Sequence, residues 1–338
     1  MSHSAQTFKA SQVQDSYDIR SLTVPGKQTI VEFSQNELAV LCQVSEIVQK
    51  RETETPRLWL HTDIIHDADD ATGVLVSSVQ HKLGVIDLVG ASAALAFDPD
   101  RSVPLSATER EELKAMRRAQ FLRAGMDSLG HEDVVVAYGE KERVPHPETG
   151  KIHINRTNPF EYDVALRATG DRGRLRHFNE EFSEALDKNK RLSLVWTAES
   201  QTLGGFLYSH GAKFTADNIG TFYSQGGHYM KDNVLTPHAD ASNHKFDWSA
   251  SCRVARHLQD KGIPSISFRK ESALAINKVA PITMGDYERL RKTGHPYAED
   301  LFNLASGVTE TFYRQSWEPG TQVNNLRGAD FVNRGLGG

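Results

Sequence analysis

The chain has 338 residues, with 39 Lys+Arg against 44 Asp+Glu, a formal net charge of −5 and only 2 Cys. That length fits one large α/β domain or two of about 150 residues. The mild acidity argues against coating a nucleic acid, and two cysteines exclude a disulfide framework and make a reducing, cytoplasmic setting the default. Mean hydropathy is −0.48, and no run approaches the ~20 apolar residues of a membrane span.

Residues 1–55 read as a polar extension docked on a main domain that fills 56–338. Within the extension only residues 37–48 look helical, with Leu38, Leu41, Val44 and Ile47 recurring every three positions. The main domain opens with a β-type run at 57–62 (RLWLHT) and an acidic loop, followed by a helix-compatible stretch at 71–81 and a strand at 85–90. Ser106 and Glu109 have the spacing of a capping box before a helix whose face carries Leu113, Met116, Ala119 and Leu122. A third strand covers 133–138, and 140–172 is loop-like, with a hairpin turn expected at 147–150 (PETG). Then come a helix at 178–187, a strand at 191–197, a helix at 199–210, a strand at 218–223 and a Gly226-Gly227 turn. A helix at 247–261, a strand at 263–268 and mostly helix from 284 to 313 complete the order. Repeated strand–helix alternation predicts a mostly parallel, Rossmann-like sheet flanked by helices on both faces, with ligands beyond the carboxyl ends of its strands.

The most informative residues are 61–71, HTDIIHDADDA. Asp63, Asp67, Asp69 and Asp70 crowd the end of a buried strand. Carboxylates held that close repel one another, which calls for a cation or a proton. Ligands that are all oxygen favour a hard cation, and a flexible carboxylate loop suits Ca²⁺ better than Mg²⁺. The plainer alternative is a solvated acidic loop placed favourably at the start of the next helix.

This segment resembles the N-terminal signature of the nucleoside hydrolase (inosine–uridine-preferring) superfamily, in the longer form Asp-Thr-Asp-Ile-Gly-x-Asp-x-Asp-Asp-Ala. Here His61 replaces the first Asp and Ile65 the Gly, while Asp63, Asp67, Asp69, Asp70 and Ala71 keep register. The stretches 83–92 and 134–139 are similar to the family's second and third strands. Residues 192–205 stand where it has Gly-Pro-Leu-Thr-Asn, and Gly226-Gly227 where it has Met-Gly-Gly. Residues 233–243 (NVLTPHADASN) are similar to its Asn-Val-Thr-Pro-x-Ala-Glu-Phe-Asn segment, with two extra residues.

The resemblance implies a calcium ion at the bottom of a pocket, holding two ribose hydroxyls and a water that an Asp deprotonates. Asp63 matches that base and a metal ligand, Asp70 a bidentate ligand, and Gln201 the position whose carbonyl binds the metal. Asp69, Asn233 and Asn243 match ribose-binding positions. Asp240 takes the place of the family's acidic residue with a one-residue shift. The family's C-terminal His-Asp pair has no counterpart, and Asp330 is the candidate for its metal-binding Asp. His228 or His238 is a candidate acid toward the leaving base. The implied activity is calcium-dependent hydrolysis of the N-glycosidic bond of a nucleoside or related ribosyl compound, in a homo-oligomer, with no nucleic-acid or membrane partner. The alternative is a ribosyl-ligand-binding protein with little hydrolysis, the type found among secreted effectors, for which the polar extension suits a secretion leader. A Mg²⁺-dependent phosphotransferase using a D-x-D loop is a third reading, but the usual residues downstream of that loop are missing.

Overall fold

The computed structural model describes residues 21–23, 30–32, 35–65, 68–94, 107–139, 170–269, 271–272, 275 and 282–317. The hairpin expected at 147–150, Ser106 of the expected capping box, Asp67 and Asp330 lie outside them. Two short strands, β1 (Ser21–Thr23) and β2 (Ile30–Glu32), pair antiparallel, and helix α1 (Gln35–Gln49) follows. Just beyond α1, the Arg51 guanidinium donates to the carbonyls of Gly84 (3.2 Å) and Val85 (2.9 Å), so Arg51 is tied to the loop that leads into the fourth strand.

The main body alternates as the sequence predicts. It runs β3 (Arg57–Thr62), α2 (Ala68–Lys82), β4 (Asp87–Ala93), α3 (Ala107–Ser128), β5 (Val135–Tyr138), β6 (Arg176–His177), α4 (Phe178–Lys188), β7 (Leu192–Trp196) and α5 (Gln201–His210). Then follow β8 (Ile219–Gln225), β9 (His228–Lys231), β10 (Val234–Pro237), α6 (Ser242–Phe246), α7 (Trp248–Asp260), β11 (Ser265–Phe268), α8 (Met284–Arg291) and α9 (Pro296–Trp317). Seven strands form one parallel sheet in the order β11-β8-β7-β3-β4-β5-β6.

The period-two pleat of β3 divides the core. Leu58 and Leu60 join a cluster with Val74, Leu122, Met126 and Leu301 from α2, α3 and α9. Trp59 faces the other way, into Phe178, Phe182, Phe206 and Val254 from α4, α5 and α7. Helices therefore cover both faces of the sheet, as a parallel sheet with crossover helices requires. Gly90 makes room for this packing, because a Cβ there would lie 2.4 Å from the Trp59 ring. No helix among the described residues is long and apolar enough to cross a membrane.

The sequence reading did not include the hairpin that follows Gly226-Gly227. Residues 228–237 form the antiparallel β9–β10 hairpin, with Lys231 paired to Val234 across a two-residue turn. Asp232 and Asn233 there have φ 50° and 62°, the conformation of the turn whose twist matches a hairpin.

Candidate active site at the switch point of the sheet

From β3 the chain builds outward through β4, β5 and β6, then returns to place β7 on the opposite side of β3. The crevice beyond the carboxyl ends of β3 and β7 is therefore the topological switch point, where sheets of this kind take ligands. The acidic loop emerges there. Asp63 and Asp70 are 4% and 8% exposed. The two carboxyls interact directly, and burial pushes Asp63 up to about 6, against the Arg118 charge and the contact with Asp70. Burial also raises Asp70 well above the usual carboxylate range, helped by the charges of Asp63 and Asp69.

Hydroxyls from both strands converge on one oxygen of Asp70. Thr62 donates to Oδ1 at 2.5 Å, and the Thr197 hydroxyl lies 2.6 Å from the same atom. The backbone N–H of Thr197 donates to the His61 carbonyl at 2.9 Å, which joins the exit of β7 to β3. Asn243 Nδ2 donates to the Thr197 carbonyl at 2.7 Å and brings the start of α6 to the same place. Behind the loop, Arg118 from α3 donates to the carbonyls of Asp63 and, at 2.6 Å, Ile64. Two buried acids of like charge, met by hydroxyl donors, a backbone N–H and the charge of one guanidinium, are stable with a shared proton or with a cation.

His61 closes the site from below. Its ring stacks on Trp196 with centroids 3.7 Å apart. Ser92 Oγ lies 2.9 Å from Trp59 Nε1 and 2.7 Å from His61 Nδ1. The indole N–H donates to Ser92 Oγ, and the same hydroxyl shares a second hydrogen bond with His61 Nδ1. Burial holds this ring's pKa well below the usual range, so it is neutral. Nε2 has no partner among the described residues.

By sequence the chain matches no family model and no curated protein. By structure it is similar to the type III effector protein XopQ complexed with adenosine diphosphate ribose, at 20% identity over 89% of this chain and 78% of that one, with a TM-score of 0.67. The effector protein XOO4466 is similar at 20% identity, 90% and 78% coverage and a TM-score of 0.67. An inosine-guanosine nucleoside hydrolase is similar at 16% identity, 76% and 73% coverage and a TM-score of 0.53. The fold is nucleoside hydrolase-like.

Within this nucleoside hydrolase-like fold, the residues singled out from the sequence are only partly brought together. Asp63, Asp70 and Asn243 gather around Thr197. Asp69 stands in the first turn of α2 beside them with its side chain exposed. Gln201 opens α5 one turn beyond Thr197 and gives its backbone N–H to the Glu199 carboxylate. Asn233 is an exposed turn residue whose carbonyl accepts from Gln259 at 2.6 Å, and Asp240 is 86% exposed beside His238. Asp330 lies outside the described residues.

Thr62, Thr197, Arg118 and Glu199 escaped the sequence reading. Glu199 is buried and pushed up to about 7, chiefly by burial, while its carboxylate accepts from the start of α5. Only a Glu two residues beyond a strand end hinted at it. The donor chemistry at Asp63, Asp70, Thr62 and Thr197 is all oxygen and fits a hard cation. Among the described residues no three His, Cys, Asp or Glu side chains are gathered closely enough to hold a metal ion by themselves.

Proposed function

We propose that the switch-point site binds a ribosyl compound and hydrolyses its N-glycosidic bond, with Asp63 as the base that takes a proton from water. The observation that carries this reading is the buried Asp63–Asp70 pair at the end of β3, bridged by threonine hydroxyls to β7. A carboxyl poised near neutrality suits proton abstraction at ordinary pH. Asp63 and Asp70, with the Gln201 carbonyl and Asp330, are the proposed holders of a calcium ion, which would neutralise the pair and acidify water. Asp69, Asn243, Asn233 and Asp240 are the proposed contacts to sugar hydroxyls. Thr62 and Thr197 orient Asp70, and Arg118 fixes the backbone from which Asp63 projects.

Departure of the base calls for a proton on it. The sequence has no counterpart of the family's C-terminal His-Asp pair, so activated leaving groups are the favoured substrates. Assay of ribose release from inosine, uridine and p-nitrophenyl riboside, with calcium added, tests this. The activated riboside is expected to turn over about 10²–10⁴-fold faster than inosine, the usual worth of a general acid. Asp63→Ala should abolish release while the protein stays folded. Equal rates on inosine and the activated riboside would mean that another residue supplies the acid.

A second reading is ribosyl binding without turnover. It is favoured by the larger structural overlap with the two effectors, one of them complexed with adenosine diphosphate ribose, than with the hydrolase. Ribose binding by calorimetry with no release from any of the three substrates would select it.

A further inference from the structure

Two strands from the acid pair, the same sheet edge carries the opposite chemistry. Ser224 lies near the end of β8, the Gly226-Gly227 turn follows, His228 opens β9, His238 follows β10, His244 sits in α6 and Ser267 in β11. His228 Nδ1 lies 2.5 Å from Ser267 Oγ, which is 2.9 Å from Ser224 Oγ. The His228 and His244 rings are 5.0 Å apart. His244 Nε2 donates to the Gly227 carbonyl at 3.0 Å, and its Nδ1 faces the Ser251 hydroxyl at 3.3 Å. His238 packs on Tyr229 with centroids 4.6 Å apart, and its buried Nε2 has no partner among the described residues.

The two glycines let these rings close in. A Cβ on Gly226 would lie 2.8 Å from His244 Nε2, and one on Gly227 3.2 Å from the His238 ring and 2.4 Å from the Arg269 side chain. Among the described residues, the carboxylates paired with this cluster lie at its rim. Asp240 is 3.8 Å from His238 Nδ1 and 86% exposed, and Glu271 is 3.4 Å from Arg269 and 71% exposed.

The crevice is thus two-signed. Carboxylates stand at the ends of β3 and β7, whereas imidazoles, serine hydroxyls and Arg269 stand at the ends of β8 and β11. We propose that the His228–His238–His244 cluster is a phosphoryl-binding arm, so that the preferred ligand is a ribosyl phosphate rather than a neutral nucleoside. The proposal rests on the ribosyl reading of the acid pair. Adjacent strands stand about 4.8 Å apart, so β3 and β8 are separated by about 10 Å. That is the reach of a pentose bearing an exocyclic phosphoryl group. A tetrahedral anion with three strong acceptor oxygens suits donors arriving from several elements.

Burial pushes His228 and His244 down to about 4, His228 facing His244 and His238, and His244 facing His238 and Asp240. The free cluster is then neutral near pH 7. Seating a dianion favours the charged imidazoles, so affinity should rise as pH falls.

The test is calorimetric titration of the full chain with D-ribose, D-ribose 5-phosphate and inorganic phosphate, near neutral pH and about one unit below it. Ribose 5-phosphate is expected to bind about ten- to hundredfold tighter than ribose, with the gap wider at the lower pH. In His228→Gln/His238→Gln, and more mildly in Ser267→Ala, the gap should shrink while ribose affinity holds. Circular dichroism checks that each variant folds. Equal affinity for the two sugars, or an undiminished gap in variants that fold, overturns the phosphoryl arm and leaves the ribosyl reading standing. Histidine-dependent binding of inorganic phosphate without any ribose binding supports the arm and sinks the ribosyl reading. No binding of either phosphate overturns the arm.

Discussion

Ile65 concentrates the strain of the site in one residue. It is fully buried and held at φ 85°, a conformation that a β-branched side chain avoids. The family signature has glycine at this position, so the turn is kept while the residue that tolerates it is not. Burial of Ile65 in the core and the guanidinium of Arg118 on the carbonyls of Asp63 and Ile64 hold the turn in place. Two predictions belong at this scale. Ile65→Ala should cost about 2–5 kcal/mol for the lost core volume. Ile65→Gly should cost no more than Ile65→Ala, because glycine relieves the positive φ; urea melts of the pair decide it. Arg118→Met leaves two buried carbonyls without their donor and should cost about 2–4 kcal/mol. Arg118→Lys should recover part of that, and a loss confined to less than ~0.5 kcal/mol would show that the clamp does not hold the loop.

Between elements, histidines connect helices and strands without carrying charge. His131 Nε2 joins the Ser78 hydroxyl of α2 at 2.5 Å, and burial pushes it down to about 4, as it does His228 and His244 in the hairpin region. In the unfolded chain these groups titrate near 6.5. Between that value and about 4 the unfolded state binds more protons, so stability should fall as pH drops through this window. Above it the three make no pH-dependent contribution. Denaturant midpoints measured from neutral pH downward check the sign, and His131→Gln should flatten part of the slope. A phosphate-bearing ligand should oppose the loss if the hairpin cluster binds it.

At the scale of the whole molecule, strand order decides where the chemistry sits. Only because β7 returns beside β3 does Thr197 meet Asp70 and bring Asn243, on its carbonyl, to the same place. A cation that binds only this assembled arrangement must stabilise the fold. Calcium at a hundredfold excess over its Kd should add about 2.7 kcal/mol of stability, and magnesium, which dehydrates reluctantly, should add less. Asp70→Asn should remove the calcium effect. Thermal melts with calcium, magnesium and chelator read it out directly, and identical curves in all three would refute a metal role for the acid pair.

The sequence by itself determined the layering, because it follows from local periodicity. RLWLHT, LSLVW and the intervening helices read correctly as strand–helix units, and a buried strand ending in HTDIIHDADD announced an acidic site. The β9–β10 hairpin was not legible, since Asp232-Asn233 is a weak turn signal set between four-residue strands, HYMK and VLTP, too short to show a period. Nor did the sequence reveal that Thr62 and Thr197, 135 positions apart by their numbers, converge on one carboxylate oxygen. Threonines at strand ends are common, and nothing local marks a pair. Whether an acid is exposed like Asp69 and Asp240 or buried like Asp63, Asp70 and Glu199 was settled only by tertiary packing. Desolvation and charge pairing depend on neighbours that the fold brings from elsewhere in the chain.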